Sequence, residues 1–142
     1  MRLLCCLTFL VGMALNASAQ MEPCLSGVDT PGCGIKITLD PPIEGNMLTA
    51  PNQVTVDVPM RLHPTKVQLS SGPSGTQVAD KFTLVAEAAH YKKVNGHARF
   101  TLELKSCPEN GDAFIYYIYA PRLPYPLYVN SEAFQCKPRD GK

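Results

Sequence analysis

The side chains in this chain that could carry chemistry are few and widely spaced. His63, His90 and His97 are the only imidazoles, and no two of them stand at the H-x-x-x-H spacing that places a pair of ligands on one metal. Histidines isolated in this way serve as surface or packing residues. Ser71 and Ser74 lie in Ser70-Ser71-Gly72-Pro73-Ser74-Gly75, which lacks the G-x-S-x-G pattern of a nucleophile turn and reads as a connection between strands. The same stretch has neither the lysine nor the following helix of a phosphate-cradling loop. Glu103 and Glu109 are not set apart from ordinary surface acids. The residues therefore predict no enzyme, no metal and no cofactor.

The cysteines carry a different chemistry. Six are present, of which Cys5 and Cys6 fall in an apolar run from Leu3 to Leu15 preceded by Arg2 and followed by Ala17-Ser18-Ala19. A basic start, a run of 13 apolar residues and an A-x-A triplet are the parts of a cleavable secretory signal. The run is shorter than the ~20 residues a membrane-spanning helix needs, so cleavage after Ala19 is expected, with no membrane anchor. The secreted chain keeps Cys24, Cys33, Cys107 and Cys136, an even number in an oxidising route, which predicts two disulfides. Four cysteines allow three connectivities. We favour Cys24–Cys33, which closes a loop rich in turn formers, and Cys107–Cys136, which ties a strand end to the last strand. No C-x-x-C spacing suggests zinc instead.

The feature that stands out most is aromatic. Tyr116, Tyr117, Tyr119, Tyr125 and Tyr128 are five of the six tyrosines in the chain, and Pro121, Pro124 and Pro126 interrupt them. Prolines at that spacing hold a segment extended, so its side chains lose little conformational entropy on binding. Tyrosine and arginine are enriched in binding hot spots because each combines area with a polar handle. Arg122, Leu123, Tyr125 and Tyr128 are accordingly the candidate recognition ridge. Tyr117 and Tyr119, on one face of the run Ala113–Ala120, are expected to fill the core of a chain that has no Trp.

The elements that must position these residues are strands. Ile35–Leu39, Val54–Val58, Thr65–Ser70, Phe82–Glu87 and Arg99–Lys105 alternate apolar and polar residues at period two. Clusters of Pro, Gly, Asn and Ser divide them, and Asn95-Gly96 marks a tight turn. The run Ala113–Ala120 is apolar or aromatic on both faces, as in a strand covered on both sides. Tyr125–Val129 and Ala133–Cys136 bring the count to about eight, and thirteen prolines argue against long helices. The expected fold is all-β, an antiparallel immunoglobulin-like or fibronectin-III-like sandwich of seven or eight strands, with a small barrel as the alternative. The expected organisation is signal 1–19, a disulfide-closed loop 20–34, the sandwich 35–136 and a loose tail 137–142.

Charge narrows the partners. Arg2 leaves with the signal, so Lys+Arg falls from 13 to 12 and equals the 12 Asp+Glu. A neutral chain offers no electrostatic footprint for nucleic acid or an anionic membrane. Ala113 to Pro124, a strand running into a proline-arginine loop, is similar in that respect to the chagasin-type inhibitors of cysteine proteases. Their other two inhibitory motifs have no counterpart here, and no family is assigned. The expectation is a secreted, non-enzymatic module that binds an extracellular or periplasmic protein or polysaccharide, or alternatively inhibits a hydrolase through the 121–126 loop.

Overall fold

Alternation decides where the strands lie. In Val54, Val56 and Val58, and again in Ala98, Phe100, Leu102 and Leu104, every second side chain is apolar, so one face of an extended chain turns inward and the other meets water. The computed structural model describes residues 34–76, 78–121 and 126–139. Within them the chain forms ten strands, β1 (Lys36–Asp40), β2 (Met47–Ala50), β3 (Asn52–Pro59), β4 (Lys66–Gly72), β5 (Thr83–Ala88), β6 (Lys92–Val94), β7 (His97–Leu104), β8 (Ala113–Tyr119), β9 (Leu127–Asn130) and β10 (Gln135–Pro138). The only helical segments described are single 3-10 turns at Met60–Leu62 and Ala79–Lys81. No helix among the described residues is long and apolar enough to cross a membrane.

Two four-stranded antiparallel sheets, ordered β1-β3-β7-β6 and β5-β4-β8-β9, face one another as a sandwich. Val54, Val56, Val58, Phe100, Leu102 and Leu104 from the first sheet meet Val67, Leu69, Phe114, Tyr116, Ile118 and Leu127 from the second in one buried cluster. Each such side chain taken from water contributes about 1.5–3 kcal/mol before conformational entropy is charged against it. The antiparallel all-β expectation is met, with one exception. β2 and β10 form a separate two-stranded sheet that is parallel; Leu48 of β2 and Phe134, just before β10, join the same core.

β8 is covered on both faces only in part. Its inner face carries Phe114, Tyr116 and Ile118, fixed by the register Leu69↔Tyr116 and Val67↔Ile118. Period two then sends Ile115, Tyr117 and Tyr119 outward. Ile115 is 2 % exposed, whereas Tyr117 and Tyr119 are half-buried. The expectation that Tyr117 and Tyr119 fill the core is therefore corrected: the bulky phenol inside is Tyr116, 2 % exposed. β5 departs from simple alternation for a similar reason. The register slips between Leu69 and Ser70, pairing Leu69 with Ala86 but Ser70 with Leu84. The extra residue, Val85, reverses the phase, leaving Leu84 on the solvent side at 52 % exposure.

Cys107 and Cys136 are bonded, 29 residues apart in sequence with Cα atoms 5.7 Å apart. The bridge joins the connection after β7 to β10, whose Cys136 is paired with Leu48 of β2. Cys24, Cys33 and the segment expected to be a signal lie outside the described residues. β10 runs beyond Cys136, with Lys137 and Pro138 paired to Thr49 and Ala50.

Candidate functional site

The outward side chains of β5-β4-β8-β9 form rows that the registers define. One row crosses the whole sheet as Glu87, Gln68, Tyr117 and Tyr128. The next contains Lys66 and Tyr119, and the row on the other side contains Leu84, Ser70, Ile115 and Asn130. Cross-strand neighbours on one face of an antiparallel pair stand close enough to touch, so Tyr117 and Tyr128 lie side by side.

Hydrogen bonds order this face. The Tyr119 hydroxyl donates to Gln68 Oε1 at 2.9 Å, and Gln68 Nε2 donates to Glu87 Oε2 at 2.6 Å. Lys66 Nζ sits 4.6 Å from the centre of the Tyr119 ring, a cation-π distance. Partial burial, followed by the nearby phenols of Tyr119 and Tyr128, raises the Tyr117 pKa above the ordinary tyrosine value. Burial is the larger cause, and the two neighbouring phenols add to it. The arrangement can offer flat aromatic area with hydroxyl, amide, carboxylate and ammonium groups at its margin.

The proline-rich connection leaves this face directly, between Tyr119 at the end of β8 and Leu127 at the start of β9. Thr65, immediately before β4, holds its root. The Thr65 N–H donates to the Tyr119 carbonyl at 2.8 Å, and its hydroxyl reaches the same oxygen at 3.2 Å. The antiparallel registers put this connection at the same end of the sandwich as the β3–β4 and β5–β6 connections. Of the ridge read from the sequence, Tyr128 is placed on the outer face. Arg122, Leu123 and Tyr125 lie outside the described residues.

The other chemistry-bearing residues are distributed elsewhere. His63 and His90 are exposed, and His97 lies within 3.1 Å of the Asn95 carbonyl through Nδ1. Among the described residues no group of three or more His, Cys, Asp or Glu side chains is gathered for a metal. Ser74 is tied to Asp112, its N–H donating to Oδ1 at 2.8 Å and its hydroxyl lying 3.1 Å from Oδ2. Those contacts hold the Asp112 carboxyl below its usual range and anchor the β4–β5 connection. Ser71 faces the interior at 1 % exposure.

Lys66, Gln68 and Glu87 were not singled out from the sequence. The only signal was their spacing: they are the polar phases of β4 and β5, and their alignment with Tyr117, Tyr119 and Tyr128 depends on long-range register. Comparison of the chain with protein-family models, with curated proteins and with solved structures found no match.

Proposed function

We propose that the chain is a secreted, non-enzymatic binding module that recognises an extracellular or periplasmic protein or polysaccharide. Its recognition surface is the tyrosine-bearing face of β4, β8 and β9 together with the adjoining 121–126 connection. The observation that carries this reading is the placement of Tyr117, Tyr119 and Tyr128 on the solvent side of the sheet, where their area is not consumed by the core. A rigid sheet fixes the phenols before any partner arrives, which reduces the entropy lost on binding. The strand order also supports an immunoglobulin-like frame. With β1, β3, β7 and β6 as A, B, E and D, and β5, β4, β8 and β9 as C′, C, F and G, it follows the arrangement of that fold, whose B–C and F–G loops share one end. The paired cysteines and the signal-like start support export.

The test is affinity capture from the native secreted or periplasmic fraction by the oxidised protein. Two variants run beside it, Tyr117→Ser/Tyr128→Ser and Arg122→Ala/Tyr125→Ala, each with the wild-type near-UV spectrum and disulfide content. The expected result is a partner held by the wild type and weakened about thirtyfold by the first variant, equivalent to the loss of about 2 kcal/mol from a hot spot. A captured hydrolase whose activity falls on binding would assign the inhibitor form of this function. Equal retention by wild type and both variants would refute the surface.

A further inference from the structure

We propose that the open side of the sandwich between β5 and β7 is a second binding site, which accepts an extended, basic, apolar-alternating polypeptide strand by main-chain pairing. The site follows from where β6 stops. Asn95 and Gly96 both have positive φ, 48° and 79°, the signature of a two-residue hairpin whose flanking residues, Val94 and His97, exchange main-chain hydrogen bonds. His97 and Arg99 therefore direct their N–H and C=O groups toward β6. By period two Thr101 and Glu103 direct theirs to the same side. β6 ends at Lys92, opposite Arg99, so the main chain of Thr101 and Glu103 has no strand beside it there among the described residues.

β5 supplies the second wall. Among the described residues it pairs only with β4, leaving its other edge without a strand there, and it packs near β7 across the mouth of the sandwich. Between them runs a groove of about 680 Å³, lined by Val85, Ala86, Leu102 and Leu104 among others and by the 105–110 turn. Tyr91, its ring 5.4 Å from that of the buried Phe100, packs against β7 on the side away from that turn. One added strand would pair with the free edge of β7 at Thr101 and Glu103 and turn alternate side chains toward Val85 and Ala86 of the β5 wall, the β-addition mode of peptide recognition.

The way the edges are guarded points to the same place. Exposed strand edges are normally blunted by lysine, proline or shortness. β1 carries Lys36, β6 carries Lys92 and Lys93, and β9 is four residues long with Pro126 before it. Thr83–Ala88 and Thr101–Leu104 contain neither lysine nor proline. Charge selects the occupant: among the described residues Glu87, Glu103 and Glu109 line the groove against one cation, Lys105, so a basic strand is favoured and an acidic one repelled.

The experiment uses the oxidised protein and an eight-residue peptide alternating valine with lysine, with its glutamate counterpart as control. Binding is followed by fluorescence anisotropy and amide exchange. The expected result is binding of the lysine peptide at least about tenfold tighter than the glutamate peptide, weakening as salt is raised, with slowed exchange at the Thr101 and Glu103 amides. Glu103→Lys on the solvent-facing side chain should reduce affinity about tenfold. Thr101→Pro removes an N–H that faces the groove and should abolish pairing; Glu103→Lys keeps the test valid if that chain does not fold. Tyr117→Ser/Tyr128→Ser should bind the peptide unchanged, which separates this site from the tyrosine face. Equal binding of both peptides, unaltered exchange at Thr101 and Glu103, or self-association through this edge in place of peptide binding would overturn the proposal.

Discussion

Two glycines show how tightly single residues constrain this sandwich. The Asp112 N–H donates to the Gly72 carbonyl at 3.1 Å, which draws the turn before β8 onto the end of β4. A Cβ built on Gly111 would stand 2.2 Å from Gly72 O, and one on Gly72 would stand 2.5 Å from the Phe82 ring and 2.7 Å from the Lys81 carbonyl oxygen. Both positions meet backbone atoms at these distances, so the backbone itself has to move. Gly111→Ala is therefore expected to lower stability by about 3 kcal/mol through overpacking. Gly45→Ala, at φ +64 with nothing within 4 Å, should cost only the left-handed backbone penalty of about 1–2 kcal/mol. Urea denaturation of the two variants side by side checks the order, and equal losses would contradict the close-approach account. From the sequence both Gly72 and Gly111 read as turn residues, because a chain pattern reports local flexibility and not which distant backbone passes by.

At the scale of elements, legibility followed burial. β3 and β7 were evident because each presents an unbroken apolar phase to the core, and β8 because Phe114, Tyr116 and Ile118 leave little ambiguity about extended structure. β2 and β6 were missed. β2, Met47-Leu48-Thr49-Ala50, is short and lies among prolines, and β6 reads as a pair of surface lysines before a turn. Their strand character comes from partners, namely β10 for one and the Asn95-Gly96 hairpin for the other. The outer face of β8 was misassigned because its aromatic composition does not distinguish an aromatic facing the core from one facing water; register does. Cys136 of the parallel β2–β10 pair is bonded to Cys107, which closes a loop of 29 residues. Replacing both cysteines by serine should cost about 3–4 kcal/mol in the chain-entropy account. The loss should be uneven. Amide exchange should accelerate most in Leu48–Ala50 and Gln135–Lys137, whose sheet has only two strands, and least in β3, which is paired on both sides. Uniform acceleration would mean that the bridge stabilises the sandwich as a whole and not this appendage.

For the molecule as a whole, the near balance of acids and bases leaves little general repulsion to drive unfolding, so particular groups should set the pH range of stability. On the outer face of the first sheet Asp57 stands opposite Arg99. Arg99 Nε donates to Asp57 Oδ1 at 2.8 Å and its Nη2 to Oδ2 at 2.9 Å. These bonds hold the Asp57 pKa below its ordinary value against the opposing effect of burial. A carboxylate lowered on folding contributes stability above its unfolded pKa of about 4, and that contribution is lost as pH falls through the folded value. Arg99 is 42 % exposed at its side chain, so solvent screening limits the contribution to about 1 kcal/mol. Tyrosine sets the other limb. Burial raises the Tyr116 pKa far above its ordinary value, and burial with neighbouring phenols raises Tyr117. The unfolded chain then ionises first, so this stability is intact below about pH 10 and declines as pH rises toward the folded values. Stability measured by urea unfolding from about pH 2 to about pH 11 should therefore form a plateau with two falling limbs. Asp57→Asn should lower the plateau by about 1 kcal/mol and flatten the acid limb while leaving the alkaline one. Tyr116→Phe should make the alkaline limb shallower and leave the acid one. An acid limb unchanged in Asp57→Asn would remove the Asp57–Arg99 pair as its cause, and an alkaline limb unchanged in Tyr116→Phe would place the sensitive phenol at Tyr117, on the proposed recognition face.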